Sequence, residues 1–95
     1  MGKRTAAFNN AGIGKLPDDK PVVYKIFTGG GRNNYTGVAQ RGRVRARLQE
    51  HLPGGKDPIP GAKVEIEQMP SIDDARAKEE RVVKRTKPPW NKQGK

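Results

Sequence analysis

Apolar residues fall along this chain in short sets whose spacing changes from one segment to the next. From Pro21 to Thr28, Val22, Val23, Tyr24, Ile26 and Phe27 are β-branched or aromatic, and the turn cluster Gly29-Gly30-Gly31-Arg32-Asn33-Asn34 follows, which predicts a strand and a hairpin loop. Asn34-Tyr35-Thr36-Gly37-Val38 supplies a return strand, so these two pair antiparallel across the glycines. Between Arg43 and Leu52 the apolar positions are Val44, Leu48 and Leu52, one stripe of a short helix that Pro53-Gly54-Gly55 ends. Lys56 to Gly61, with Pro58 and Pro60, reads as a loop, and Lys63-Val64-Glu65-Ile66-Glu67 alternates at period two as a third strand. Ser71 is placed to cap a second helix that starts at Ile72, with Asp73 and Asp74 in its first turn and Ala75 and Val82 or Val83 on its buried stripe. Lys84, Arg85 and Lys87 suit its far end before Pro88-Pro89 stops it.

Upstream of Pro21 no period holds. Phe8, Ile13 and Leu16 stand isolated among Gly2, Asn9-Asn10, Gly12, Gly14 and Pro17, so residues 1–20 read as a flexible arm and 93–95 as a tail. The expected domain, 21–92, is a small α+β unit: a three-stranded antiparallel sheet flanked by helices in the order β-β-α-β-α.

Composition narrows the function. Ninety-five residues, 32% hydrophobic, leave room for one small domain. Without cysteine there is no disulfide framework, thiolate zinc site or cysteine nucleophile, and His51 is the single histidine. The longest apolar stretch, Pro21-Val22-Val23-Tyr24, is far too short to span a bilayer, and Met1-Gly2-Lys3-Arg4 precedes no apolar run of a signal peptide. These features predict a soluble, cytoplasmic chain without a membrane partner. The net charge of +10 calls for a polyanionic partner, nucleic acid first. It is densest in the middle, where Arg41, Arg43, Arg45 and Arg47 set four guanidiniums within seven residues, planar forks suited to phosphate oxygens; a solvated basic helix face is the plainer alternative. Gly29 to Gly31 is no phosphate loop, since no Gly-Lys-Ser/Thr opens a helix after it.

Few polar side chains are placed to converge. Tyr24 and Tyr35, the only tyrosines, lie on adjacent strands, where a suitable register brings both phenols to one face, although on residue type alone ordinary cross-strand packing is the favoured account of them. Arg43, Arg47 and His51 follow one another at four-residue steps and share one helix face, able to grip a phosphate beside an imidazole that titrates near neutral pH. Glu79 sits at the edge of an apolar stripe, where a carboxylate needs either a divalent cation or a salt bridge to Arg76 or Lys84.

In this order and spacing the residues resemble the GIY-YIG nuclease family from Val22 to Asn91. Val22-Val23-Tyr24 stands in the place of its first motif and Tyr35-Thr36-Gly37 in the place of its second. Arg47 is similar to its helix arginine, His51 to a histidine of many members, Glu79 to its metal-binding glutamate, and Pro88-Pro89-Trp90-Asn91 to its closing segment. The departures are Val22 and Val23 for Gly and Ile, Thr36 for Ile, and an insertion between Gly37 and the arginine helix.

The resemblance implies a metal-dependent endonuclease acting on DNA more than RNA. Tyr24 would be the general base on water, with Tyr35 positioning that water and the phosphate. Arg47 and His51 would hold phosphoryl oxygens, Glu79 one Mg²⁺ or Mn²⁺, and Lys25, Arg41, Arg43, Arg45 and Asn91 would contact nucleic acid. A free tyrosine, with a pKa near 10, is a poor base at neutral pH, so Lys25, Arg47 and the metal are expected to lower it. The alternatives are a non-catalytic basic nucleic-acid-binding module and a nuclease domain that works only with a protein partner supplying specificity. The enzymatic reading requires the Glu79 carboxylate and the Tyr24 phenol to meet on one side of the sheet.

Overall fold

The computed structural model of the chain describes residues 3–92, with residues 91 and 92 by backbone alone; the expected tail and the Asn91 side chain fall outside the described residues. The apolar run and its glycine turn form the expected hairpin. Strand β2 is Val22–Phe27 and β3 is Asn33–Ala39, paired antiparallel with Tyr24 opposite Gly37 and Ile26 opposite Tyr35. The alternating segment forms β4, Lys63–Gln68, antiparallel on the other side of β2 with Ile66 opposite Tyr24. Helix α2, Val44–Glu50, buries Val44 and Leu48, and α3, Ile72–Thr86, buries Ala75 and Val82. Ser71 caps α3 by accepting the Asp74 backbone N–H at 3.1 Å, and Lys87 ends it in the left-handed region. A 3₁₀ turn, Pro89–Lys92, follows.

The first twenty residues are not a free arm. Lys3–Ala7 is a strand, β1, paired antiparallel with β4, and the short helix α1, Asn10–Gly14, is capped by Asn9, whose Oδ1 accepts the Gly12 backbone N–H at 2.8 Å. The sheet therefore has four strands in the order β1-β4-β2-β3, and the elements run β-α-β-β-α-β-α rather than β-β-α-β-α. Phe8, Ile13 and Leu16, isolated in the sequence, enter the core beside Val22, Tyr24, Ile26, Val44, Leu48, Val64 and Ile66. Among the described residues no helix is long and apolar enough to cross a membrane.

Two layers enclose the sheet. Side chains alternate along a strand, so Val22, Tyr24 and Ile26 share one face with Tyr35, Gly37, Val64 and Ile66, and α1 and α2 cover that face. Val23, Lys25 and Glu67 point the other way. There α3 packs across β3 and β2, and its Lys78 donates to Glu67, whose carboxyl this bond holds below the usual range. Strand β3 is one rim of the sheet, with α2 above it and α3 below.

Candidate active site

The site lies at the β3 rim, around Tyr24. On the neighbouring strand the residue opposite is Gly37, where a Cβ would stand 2.7 Å from both Cζ and Oη of Tyr24 and 2.9 Å from Cε2 of Tyr35. Gly37 is not one of the glycines with positive φ, so its backbone does not require glycine; the missing side chain is what lets the Tyr24 ring lie over β3. Three rings gather there, Tyr24 and Tyr35 with centroids 6.1 Å apart, Tyr24 and His51 at 5.7 Å, and Tyr35 and His51 at 5.0 Å.

The hydrogen bonds of His51 fix the direction of the network. His51 ends α2 as its C-cap and is fully buried. Its Nδ1 lies 2.8 Å from the backbone carbonyl of Asp57, which can only accept, so Nδ1 carries the proton. Nε2 is then a bare lone pair and accepts the O–H of Tyr24 at 2.8 Å. Burial holds the imidazole neutral by pushing its pKa down, a shift that the Asp57 carbonyl opposes. The oxygen of Tyr24, having given its proton to this bond, keeps lone pairs for donors at the rim.

Burial also dominates Tyr24, pushing its ionisation well above that of a free phenol; the neighbouring Tyr35 adds to the rise, while the charge of Arg47 and a hydrogen bond from it pull the other way without reversing it. The expected lowering of this pKa is therefore overturned for the protein alone. Lys25 takes no part, because it follows Tyr24 directly on β2 and so points to the opposite face.

Arg47 reaches the site from α2. Its Nη1 donates to Glu50 Oε1 at 2.6 Å, and its side chain is still 36% exposed, which leaves donors for a ligand. Glu79 arrives from the other layer. Helix α3 lies beneath the sheet, so the sheet separates the backbone that carries Glu79 from the Tyr24 phenol, and the expected meeting of the two on one side of the sheet is not among the described contacts; what links the half-buried Glu79 to the site is its charge on Tyr35. Tyr35 is raised first by burial, the Arg47 charge lowers it, and the charges of Asp57 and Glu79 raise it again. Thus Tyr24, Tyr35, Arg47 and His51 come together, and Glu79 is in electrostatic reach of Tyr35.

The arginine cluster divides. Arg45 turns away, its Nε donating to the Leu16 carbonyl at 2.9 Å, so it ties α2 to α1 rather than serving the rim. Arg41 is exposed ahead of α2, beside Pro21 and Pro70. Arg43 stays with Arg47 and, with Arg76 of α3, lines a cleft. The sequence reading leaves out Asp57 altogether and names Arg76 only as a salt-bridge partner of Glu79. Asp57 acts through its carbonyl, which no residue type announces, whereas Arg76 had a signal: it stands three before Glu79 and so shares its helix face.

Among the described residues no three His, Asp or Glu side chains form a metal-binding group. Of the carboxylates near the rim Glu50 is engaged by Arg47 and Asp57 lies beside His51, and the one expected ligand, Glu79, suits an ion that keeps most of its waters and takes phosphate oxygens, as Mg²⁺ does, rather than an all-protein cage or a two-metal site. Comparison of the chain with protein-family models, with curated proteins and with solved structures finds no match in any of the three.

Proposed function

We propose that this protein is a metal-dependent endonuclease of the GIY-YIG type that hydrolyses phosphodiester bonds in DNA. One observation carries the reading: Tyr24, Tyr35, Arg47 and His51, from three separate elements, pack around one point at the rim, and the charge of Glu79 acts on Tyr35. The order of the sequence motifs agrees with it, while the insertion before α2 departs from the family pattern.

Phosphodiester hydrolysis needs a base for water, positive charge on the nonbridging oxygens and relief of charge on the leaving 3′-oxygen. Arg47 supplies the positive charge, and Tyr35, half-buried at the mouth, orients water and phosphate. Tyr24 does not need to exist as a phenolate. As it takes a proton from the attacking water it passes its own O–H proton to Nε2 of His51, and the resulting imidazolium keeps its Nδ1–H on the Asp57 carbonyl, with the Asp57 carboxylate 3.9 Å away. Glu79 would hold the divalent ion, whose chemistry when bound is to stabilise the departing oxygen.

A second reading, a non-catalytic basic binder, is favoured by the complete burial of Tyr24, which keeps bulk water from its oxygen. Incubation of supercoiled plasmid with Mg²⁺ or Mn²⁺ separates the two. The nuclease reading expects nicking that EDTA stops and that Glu79→Gln, Arg47→Ala and Tyr24→Phe each reduce at least about a hundredfold. Salt-sensitive binding by the folded wild type, with no cleavage in either metal, leaves the binder.

A further inference from the structure

Beside the tyrosines a cleft of about 310 Å³ opens between α2 and α3, floored by Val38, Ala39 and Ile72 and walled by Arg43, Arg47 and Arg76. Three guanidiniums around one hollow repel one another unless an anion sits among them. Arg47 is partly neutralised by Glu50, but among the described residues Arg43 and Arg76 have no side-chain hydrogen bond or ion pair, and both are exposed. The apolar floor suits the sugar edge of a nucleotide better than a free inorganic anion.

The two helices give this cleft a fixed relation to the site. On α2, Arg43, Arg47 and His51 ascend in steps of one turn; on α3, Arg76 and Glu79 do the same. Both rows run along β3 from Ala39 towards Tyr35, with Arg43 and Arg76 at the Ala39 end and His51 and Glu79 at the Tyr35 end. The two ends are three residues apart on α3 and eight apart on α2, roughly 4.5 to 12 Å along the helix axes, against a rise of about 3.4 Å per nucleotide in a duplex strand.

We propose that the cleft between α2 and α3 seats a second phosphate of the same nucleic-acid strand, one to three nucleotides from the bond held at Tyr35 and Glu79, with Arg43 and Arg76 as its ligands. The proposal builds on the endonuclease reading, and it gives the strand its direction of travel along the β3 rim. A chain gripped at two phosphates cannot pivot about the first, so the cleft positions the scissile bond as well as adding affinity.

The test is fluorescence anisotropy with a labelled DNA oligonucleotide in EDTA across a salt series, comparing wild type with Arg43→Gln/Arg76→Gln. A control of equal charge, Lys3→Gln/Arg4→Gln, lies on β1 at the far rim. Loss of one phosphate contact is expected to weaken binding about tenfold and to lower the slope of log affinity against log salt by about 0.9, with the control near wild type. Equal losses in both variants, or none in either, overturn the cleft. Arg43→Lys/Arg76→Lys guards against misfolding, since it keeps the charge and is expected to retain the salt slope while losing the forked hydrogen bonds; a slope that drops in this variant too counts against the proposal. Cleavage by wild type together with unaltered binding by the glutamine variant removes the cleft and leaves the nuclease. Binding that depends on the cleft without any cleavage in Mg²⁺ or Mn²⁺ removes the nuclease and leaves the cleft as a phosphate site.

Discussion

Adding one methyl group at Gly37 tests the geometry of the whole site. In Gly37→Ala the new Cβ would lie 2.7 Å from Cζ and Oη of Tyr24 and 2.9 Å from Cε2 of Tyr35, where carbon contacts prefer about 3.5–4.0 Å. The backbone accepts alanine, since φ is not positive there, so the cost comes from crowding alone. Relief requires the Tyr24 ring to move by roughly 1 Å, yet it is fully buried and its hydroxyl is held on His51 at 2.8 Å. Crowding of a packed core costs about 1–3 kcal/mol, and a broken bond that leaves His51 Nε2 buried without a donor costs a further ~1–3 kcal/mol. The expected destabilisation is thus about 2–6 kcal/mol, a large part of the roughly 5–15 kcal/mol that holds a domain together. Urea unfolding followed by the fluorescence of Trp90, the single tryptophan, measures it as a drop in midpoint at constant slope. In a Tyr24→Leu background the shorter side chain clears most of the clash, so the added cost of Gly37→Ala should fall by at least half. A Gly37→Ala protein within about 0.5 kcal/mol of wild type would show that the phenol does not lie over this glycine.

Three further outcomes follow from the same structure. Both tyrosines are raised above 10.0 in the folded state, so their contribution to stability is complete below that value and is lost as pH climbs through the folded pKa; tyrosinate absorbance is expected to appear with unfolding, and free titration near pH 10 in the folded protein would contradict it. His51 is lowered below 6.5, so the unfolded chain binds the extra proton first; stability should be flat above about pH 6.5 and fall on acidification by at most ~1.4 kcal/mol per pH unit, a slope His51→Gln removes and urea midpoints record. Deleting residues 1–16 takes Phe8, Ile13 and Leu16 from the core at about 1.5–3 kcal/mol each, enough to abolish the cooperative transition seen by circular dichroism; an unchanged midpoint would restore the view of this segment as an arm.

The sequence was most readable where one periodicity and one stop signal coincide. Val22 to Phe27 with its glycine turn, the Val44 and Leu48 stripe, the alternation from Lys63 and the Ser71 cap all mark elements that form. Strand β1 was hidden because Lys-Arg-Thr-Ala-Ala is an exposed edge held through its backbone, and α1 because two of its five residues are glycine. Within the site, Tyr24, Tyr35, Arg47 and His51 were legible from spacing. Lys25 should have been set aside on the same grounds, since a strand neighbour of Tyr24 faces away, and Arg45 likewise sits two positions from either rim arginine on the helix. The burial that raises Tyr24 had no local signature, because the residues that cover it come from α2 and from the loop after it.

That loop, 53–61, has the composition of a linker and behaves as masonry. Asp57 N–H donates to the Glu50 carbonyl and Ile59 N–H to the His51 carbonyl, Asn34 Nδ2 donates to the Pro60 carbonyl, and Ile59 is buried. Anyone grafting a peptide, a reporter or a circular-permutation junction into this chain would take the three prolines as an invitation and so dislodge the wall against which the imidazole rests. The glycines at 29–31, exposed at a hairpin tip, are the safer place to cut and splice.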